Sequence, residues 1–425
     1  MIKKIHYFNF ILISIITFSI GWLFADTAVF AKEPIIIVID PGHGGENLGA
    51  QYENFTEKEM TMIVARTMKE ELEKYENVVV YLTHETDLDM SLKERAVFAK
   101  EKQADFLFCL HFNSSVHHNL YGAEVWIPAY SDYYVKGRQF AEIQMQLFSK
   151  HGLYSRGIKT KLNDKGEDYY GILRHCSAVG VPSALIEHCH MDHDNDKPFY
   201  QQSEEQLRDF GRLDAEAVAK YFGLKSSEKS VNYSTYPKVQ VEIPKAGEAV
   251  KPDKTEPEMC DLEVLSIEDK TAKVMAKIEA ADADSYILYY AYSLDGGNTY
   301  SELCKWPRPF WNQSDHSLIL ELTVPYEQEN DLRVKVYNGF DVWTESNVIP
   351  LPVLSDPKRE GEIPEKEMLE EFAVELPSNV MQDQTDRMIL IGMILLLSFF
   401  IVLILYVMVK MILRLSRNSK QRKKV

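Results

Sequence analysis

Ile35-Ile36-Ile37-Val38-Ile39-Asp40-Pro41-Gly42-His43-Gly44-Gly45 is the stretch that decides how this chain folds. Its apolar run predicts a strand buried on both faces. The Asp-Pro-Gly that follows ends the strand in a turn and presents one histidine at its carboxyl end. In open α/β sheets, ligands bind along that edge. A single histidine there is more often structural than catalytic, so its meaning depends on what else reaches the same edge.

Working outward, short apolar runs predict further strands at Val78–Leu82, Phe106–Leu110, Ala123–Ile127, Gly171–Arg174 and Ser183–Glu187. Segments of helical period lie between them. Thr56-x-x-Glu59 reads as a capping box, followed by Met60, Ile63, Val64, Met68 and Leu72 on one face. Ser91-x-x-Glu94 and Ser203-x-x-Gln206 open two more helices, the second carrying Leu207, Phe210 and Tyr221. The alternation predicts an α/β domain over residues 34–225, with a mostly parallel, twisted sheet and flanking helices.

Three more residues join His43 at the predicted edge. Glu57 falls in the first turn of the helix after Thr56, although Glu53 and Glu59 serve the helix dipole equally well there. His111 follows the strand Phe106–Leu110, and Glu187 closes the run Val181–Ile186. A carboxylate ending a buried strand is costly without a partner, and a metal or catalytic role accounts for it. Two histidines and one carboxylate leave a zinc ion an open fourth position, as in catalytic sites. A second carboxylate near the water bound there serves as general base.

Asp40-Pro41-Gly42-His43-Gly44-Gly45, Glu57-Lys58, Leu110-His111-x-Asn113, Gly122-x-Glu124-Val125, Leu173-Arg174 and Leu185-Ile186-Glu187 together resemble the zinc-dependent N-acetylmuramoyl-L-alanine amidases, in order and spacing, over residues 34–224. The resemblance implies that His43, Glu57 and His111 bind Zn2+ and that Glu187 is the catalytic glutamate. It implies peptidoglycan as the substrate, cut between the muramic acid lactyl group and L-alanine. One departure is His188-Cys189-His190-Met191-Asp192-His193, where the family often has small and aromatic residues with an Asn. It reads as a variable loop beside the site, with a second metal position or a redox-sensitive Cys189 as the sharper alternative. Asp40 either orients His43 or simply forms the turn. Arg174 is a candidate for a substrate carboxylate, Arg95 reads as structural, and His117 and His118 as solvated.

The formal charge is −17, yet both ends are basic. Lys3 and Lys4 precede an apolar run, Phe10 to Phe24, and then Val29-Phe30-Ala31, so residues 1–31 read as a signal peptide or an N-terminal anchor. Met388 to Val409 carries no charge, and its 22 residues span about 33 Å as a helix, enough to cross a bilayer. The tail 410–425 holds Arg414, Arg417, Lys420, Arg422, Lys423 and Lys424, which places it in the cytoplasm, as Lys3 and Lys4 do the N-terminus, and everything between the two ends outside. The acidic middle argues against nucleic acid as a partner.

Residues 226–258 read as a linker rich in Ser, Lys, Pro and Glu, and 353–386 as an acidic stalk. Between them, at 259–352, Leu332, Val334 and Val336 alternate with Arg333, Lys335 and Tyr337, and Asp295-Gly296-Gly297-Asn298 is a hairpin turn. This predicts a small all-β sandwich resembling the immunoglobulin or fibronectin type III kind. It is a spacer, a protein-contact module or a wall-binding module. Five cysteines do not make a disulfide framework; Cys260 and Cys304 within it are a candidate pair, with unpaired cysteines the favoured reading. Two other functions compete with the amidase: a catalytically silent wall-binding or signalling protein, and a zinc peptidase or deacylase on another substrate.

Overall fold

A computed structural model describes residues 33–310 and 312–358. The N-terminal segment 1–31, the span 388–409 and the basic tail lie outside the described residues. Among the described residues, no helix is long and apolar enough to cross a membrane.

The α/β part has six main strands: β1 (Ile35–Pro41), β2 (Val78–Leu82), β3 (Phe106–Asn113), β4 (Ala123–Trp126), β5 (Ser155–Lys159) and β6 (Ser183–His190). They form one sheet in the order β2-β1-β3-β6-β4-β5. All pairings are parallel except β4 with β6, so the sheet is mixed. Its helices are α1 (Glu57–Leu72), α2 (Leu92–Glu101), α3 (Ser131–His151), α4 (Gly171–Val179) and α5 (Glu204–Phe222).

Side-chain alternation along β3 divides the core in two. Phe106, Phe108 and Leu110 face one way, against Val64 and Met68 of α1, Phe140 of α3 and Phe210 of α5. Leu107 and Cys109 face the other way, against Ala96 of α2 and Ile172 and Cys176 of α4.

Local signals account for most boundaries. Ser91 and Glu94 form the expected capping box, and Gln206 returns its side chain to the Ser203 N–H. Thr56 departs from expectation: its hydroxyl bonds the Glu59 carboxylate rather than a backbone N–H. The predicted strand Gly171–Arg174 is instead the start of α4. Ile172, Leu173 and Cys176 continue the apolar pattern at helical spacing, until Gly180 closes the helix in the left-handed region.

The all-β part stacks two sheets over a shared core. The strands β7 (Met259–Glu268), β8 (Lys273–Ala281) and β11 (Ser317–Thr323) make one sheet. The other runs β10 (Cys304–Lys305), β9 (Ile287–Ser293), β12 (Asn330–Asn338) and β13 (Trp343–Glu345), with β14 (Ile349–Leu351) also on β12. Val274, Ile278, Leu320, Leu332, Val334 and Trp306 fill the space between them. Cys260 and Cys304 do not pair, and all five cysteines are free: Cys260 is buried in that core, whereas Cys304 sits half-buried on the short edge strand β10.

A register shift in β9 lets Leu288 and Tyr289 both turn outward, and with Ala291 they pack on Tyr121 and Tyr154 of the α/β part. The two parts belong to one compact unit that ends at Leu354.

Helices α1 and α5 meet closely at Gly211. A Cβ there would lie 2.7 Å from the Val64 carbonyl oxygen and 2.8 Å from the Thr67 Cβ. In an open helix, Gly to Ala stabilises by about 0.5–1 kcal/mol. Here the sign should invert, with Gly211→Ala costing about 1–3 kcal/mol. Thermal melting checks this, since a raised Tm would contradict the close contact.

Candidate functional site

The parallel register of β1 on β3 sets Asp40 beside Cys109 and Pro41 beside Leu110, so His43 and His111 leave the sheet at the same edge. Strand β6 then puts Glu187 beside His111, and β4 puts Glu124 on the other side of Glu187. Helix α1 begins under this edge with Glu57 as its first residue. The expected residues therefore meet. One cavity of about 570 Å³ is lined by His43, Glu57, His111, Asn113, Tyr170 and Glu187.

Glu57 lies between the two imidazoles. Its Oε2 is 2.9 Å from His43 Nε2, and its Oε1 is 2.8 Å from His111 Nδ1. The backbone N–H groups of Ala50 and Phe112 also donate to it, at 2.8 and 3.1 Å. The possible ligand atoms of His43, Glu57 and His111 all lie within 4.8 Å of one another. Burial opposes ionisation of Glu57, but the hydrogen bonds from His111 and His43 outweigh it and hold the carboxyl well below the usual range. His43 is pushed down by burial and up more strongly by Glu57, and ends above its ordinary value.

Two glycines make this approach possible. A Cβ on Gly42 would sit 2.5 Å from His111 Cε1, and one on Gly49 would sit 2.5 Å from Glu57 Oε2. His43 itself has φ of 69°, a left-handed conformation that histidine tolerates better than most residues.

The Arg95 side chain clamps the turn that carries His43. Buried, it donates to the carbonyls of Pro41 at 2.7 Å and His43 at 2.6 Å, and pairs with Asp40 at 2.8 Å. Asp40 also accepts from the Thr83 hydroxyl at 2.6 Å. Asp40 thus acts on His43 only through Arg95. The residue that faces the His43 ring is Asn47, whose Oδ1 lies 2.9 Å from Nδ1. Asn47 carries no strand or helix signal and was not legible in the sequence.

Glu187 is buried, and its Oε2 has no hydrogen-bond partner among the described residues. Burial first, then the neighbouring Glu57 and Glu124, raises its carboxyl well above the ordinary value. Glu124, fully enclosed, is held ionised instead. Burial opposes this, but Lys159 at 2.8 Å and Arg156 at 2.9 Å overcome it. Glu124 also accepts from the Asn113 amide at 2.9 Å.

The expected loop His188–His193 is instead the end of β6 and the turn after it. His188 is fully buried, 2.8 Å from the His111 carbonyl oxygen on one side and 2.8 Å from Asp214 of α5 on the other. Cys189 is sealed in the core, and His190 is buried against the Gly122 carbonyl. None of them joins the His43–Glu57–His111 group. Arg174 is turned toward the carbonyls of Asp168 and Tyr169. His118 is exposed as expected but pairs with Asp192 at 2.8 Å.

Removing Arg95 would leave Asp40 enclosed without its ion-pair partner. Arg95→Ala is expected to cost about 3–5 kcal/mol, the range for breaking one side of a buried pair. Adding Asp40→Asn should recover part of that loss. Denaturant titration decides it, and a cost under 1 kcal/mol would mean that the pair does not hold the turn.

Residues 37–220 match the family described as N-acetylmuramoyl-L-alanine amidase (Amidase_3). The chain is 37% identical over 102 residues to a protein of Haemophilus influenzae named as a probable N-acetylmuramoyl-L-alanine amidase AmiB, covering 24% of this chain and 23% of that one. It is 32% identical over 162 residues to the uncharacterized protein YqiI of Bacillus subtilis, covering 37% of this chain and 72% of that one. Among solved structures, Cwp6 from Clostridium difficile is 26% identical, covers 44% of this chain and 29% of that one, and has a TM-score of 0.41. This chain spans less than a quarter of the length of its Haemophilus relative. Through its α/β part, with His43, Glu57, His111 and Glu187 gathered at one sheet edge, this chain belongs to the N-acetylmuramoyl-L-alanine amidase family.

Proposed function

We propose that this chain is a zinc-dependent amidohydrolase that cuts the amide between N-acetylmuramic acid and L-alanine in peptidoglycan, at the outer face of the cytoplasmic membrane. One observation carries the reading: three converging donor atoms from His43, Glu57 and His111 share a cavity with a buried carboxylate whose Oε2 has no partner. Two imidazole nitrogens and one carboxylate oxygen are a donor set that suits zinc and leaves one position open.

A zinc ion held there would polarise the scissile carbonyl and lower the pKa of a bound water to about 7. The chain's own groups supply the rest. Asn47 fixes the His43 ring through Nδ1 and so turns Nε2 inward, a support that commonly raises metal affinity. Glu187 takes a proton from the attacking water and returns it to the departing alanine amine. Burial, then Glu57 and Glu124, raises its carboxyl, which makes it a stronger proton acceptor than an ordinary carboxylate. Glu187 is assigned as base rather than ligand because a fourth protein ligand would close the open position.

In the full-length chain, His43→Ala or His111→Ala should lower zinc content sharply and abolish release of L-alanine-terminated peptides from muropeptides. Glu187→Gln should keep its zinc and lose about 10²–10⁴-fold in turnover. Elemental analysis and mass spectrometry of the new ends read both. Full zinc in either histidine variant, or near-normal turnover in Glu187→Gln, would sink the mechanism; loss of zinc in Glu187→Gln would make it a ligand.

The membrane placement rests on the charge-free run Met388 to Val409 and the basic residues after it. Protease added to intact protoplasts should digest both folded parts and leave a short protected C-terminal fragment. Protected domains would refute this orientation.

A further inference from the structure

A second cleft opens from the catalytic cavity toward the all-β part. It shares Asn113, Ser114 and Tyr170 with that cavity and encloses about 460 Å³. Phe340, Asp341 and Val342, between β12 and β13, form its far wall, together with Pro252–Lys254 from the segment joining the two parts. The wall is firmly seated. Arg156 of β5 bonds Asp341 at 2.6 Å and the Tyr289 hydroxyl at 3.1 Å, and Tyr286 donates to the Arg156 carbonyl at 2.5 Å. The joining segment is pinned as well. Val250 donates to the Ala129 carbonyl at 2.8 Å, and Asn338 donates to Asp253 at 2.7 Å.

Most charges in the cleft are already answered. Glu124 pairs with Arg156 and Lys159, and Arg156 also with Asp341. Asp253 is buried and accepts from Thr255, Ser285 and Asn338. His190 is pushed down to about 4, by burial and then by Arg156, and adds no charge at neutral pH. Two exposed ammonium groups remain, Lys161 and Lys254. Neither has a carboxylate within ion-pair distance among the described residues; Lys161 rests over the Tyr169 ring at 4.0 Å.

The protein as a whole is acidic, with an isoelectric point near 5.2. An acidic ligand is repelled by most of such a surface and drawn to a cleft that keeps unpaired cations, where low-dielectric walls strengthen the field. Of the two arms that meet at the scissile amide, the peptide carries free carboxylates, whereas N-acetylated sugars are neutral. We propose that this cleft is the subsite for the acidic peptide arm, with Lys161 and Lys254 binding its carboxylates and the all-β part supplying a wall of the substrate groove. The inference rests on the amidase reading and gives the second domain a role in selecting substrate.

The test uses the zinc-loaded full-length chain and two synthetic muramoyl tripeptides. One has free peptide carboxylates, and in the other they are carboxamides. The wild type should favour the free acid by about tenfold in kcat/KM, mainly through KM, with the preference shrinking as salt rises. Lys161→Ala with Lys254→Ala should remove the preference, by raising KM for the free acid about tenfold. Equal rates on the two compounds in the wild type, or a preference that survives the double substitution, would overturn the subsite. If the wild type cuts neither compound, the amidase reading fails. Calorimetric binding of the intact free acid then decides the cleft: about tenfold weaker binding in the double variant supports it, and unchanged or absent binding rejects it.

Discussion

The structure of the candidate site depends on one carboxylate. Glu57 is enclosed at the start of α1, where desolvation works against its charge, and four donors hold that charge in place: two imidazoles and two backbone N–H groups. Its position at a helix N-terminus adds a favourable field. Because the donors come from the turn after β1, the end of β3 and the loop before α1, satisfying this one group ties three segments to one point. The glycines at 42 and 49 follow from the same demand. No side chain fits where the rings and the carboxylate approach one another.

A second set of charges lies behind the first. Glu187 and Glu124 face each other across β6 and β4, and burial, then Glu57, then Glu124 raise the Glu187 carboxyl. Against the effect of burial, Lys159 and Arg156 hold Glu124 well below the usual carboxylate range, whereas Glu187 has no such cations beside it and stays raised. Arg156 is itself completed by Asp341 and Tyr289 from the all-β part. The second domain therefore reaches the electrostatics of the catalytic edge through Arg156, and also through Lys159, which lies over the Phe340 ring at 5.7 Å. A buried network of this kind is costly when incomplete, so the docking of the two parts and the charge of Glu124 are linked. This is a different situation from a module hung on a linker, since the segment between the parts is itself bonded to both.

Much of this was legible from local chemistry. A strand buried on both faces reads as an apolar run, so a histidine or glutamate at its end stands out: this is how His43, His111 and Glu187 are found. The capping box at Ser91 and the alternation along β12 are equally local. What escaped was polar sequence that the fold buries. Strand β5, Ser155-Arg156-Gly157-Ile158-Lys159, is absent from the expected strands because it has no apolar run, and its charged residues are buried against Glu124 and, 185 residues further on, Asp341. The run after Glu187 looked like a loop for the same reason. His188 is a strand residue because Asp214 and the His111 carbonyl take both of its ring nitrogens.

The amino-acid sequence by itself determined the alternating α/β order, the turn that presents His43, the residues that end the central strands and the all-β pattern that follows. Each depends on side-chain period or backbone preference within a few residues. Tertiary structure alone decided that the outer two strands reverse direction, that Asn47 rather than Asp40 faces the His43 ring, and that Lys161 and Lys254 remain unpaired in a cleft between the two parts. The physical reason is that compensation of buried charge is not local. Whether an arginine, histidine or glutamate can leave water is set by partners that the chain brings close only when it is folded.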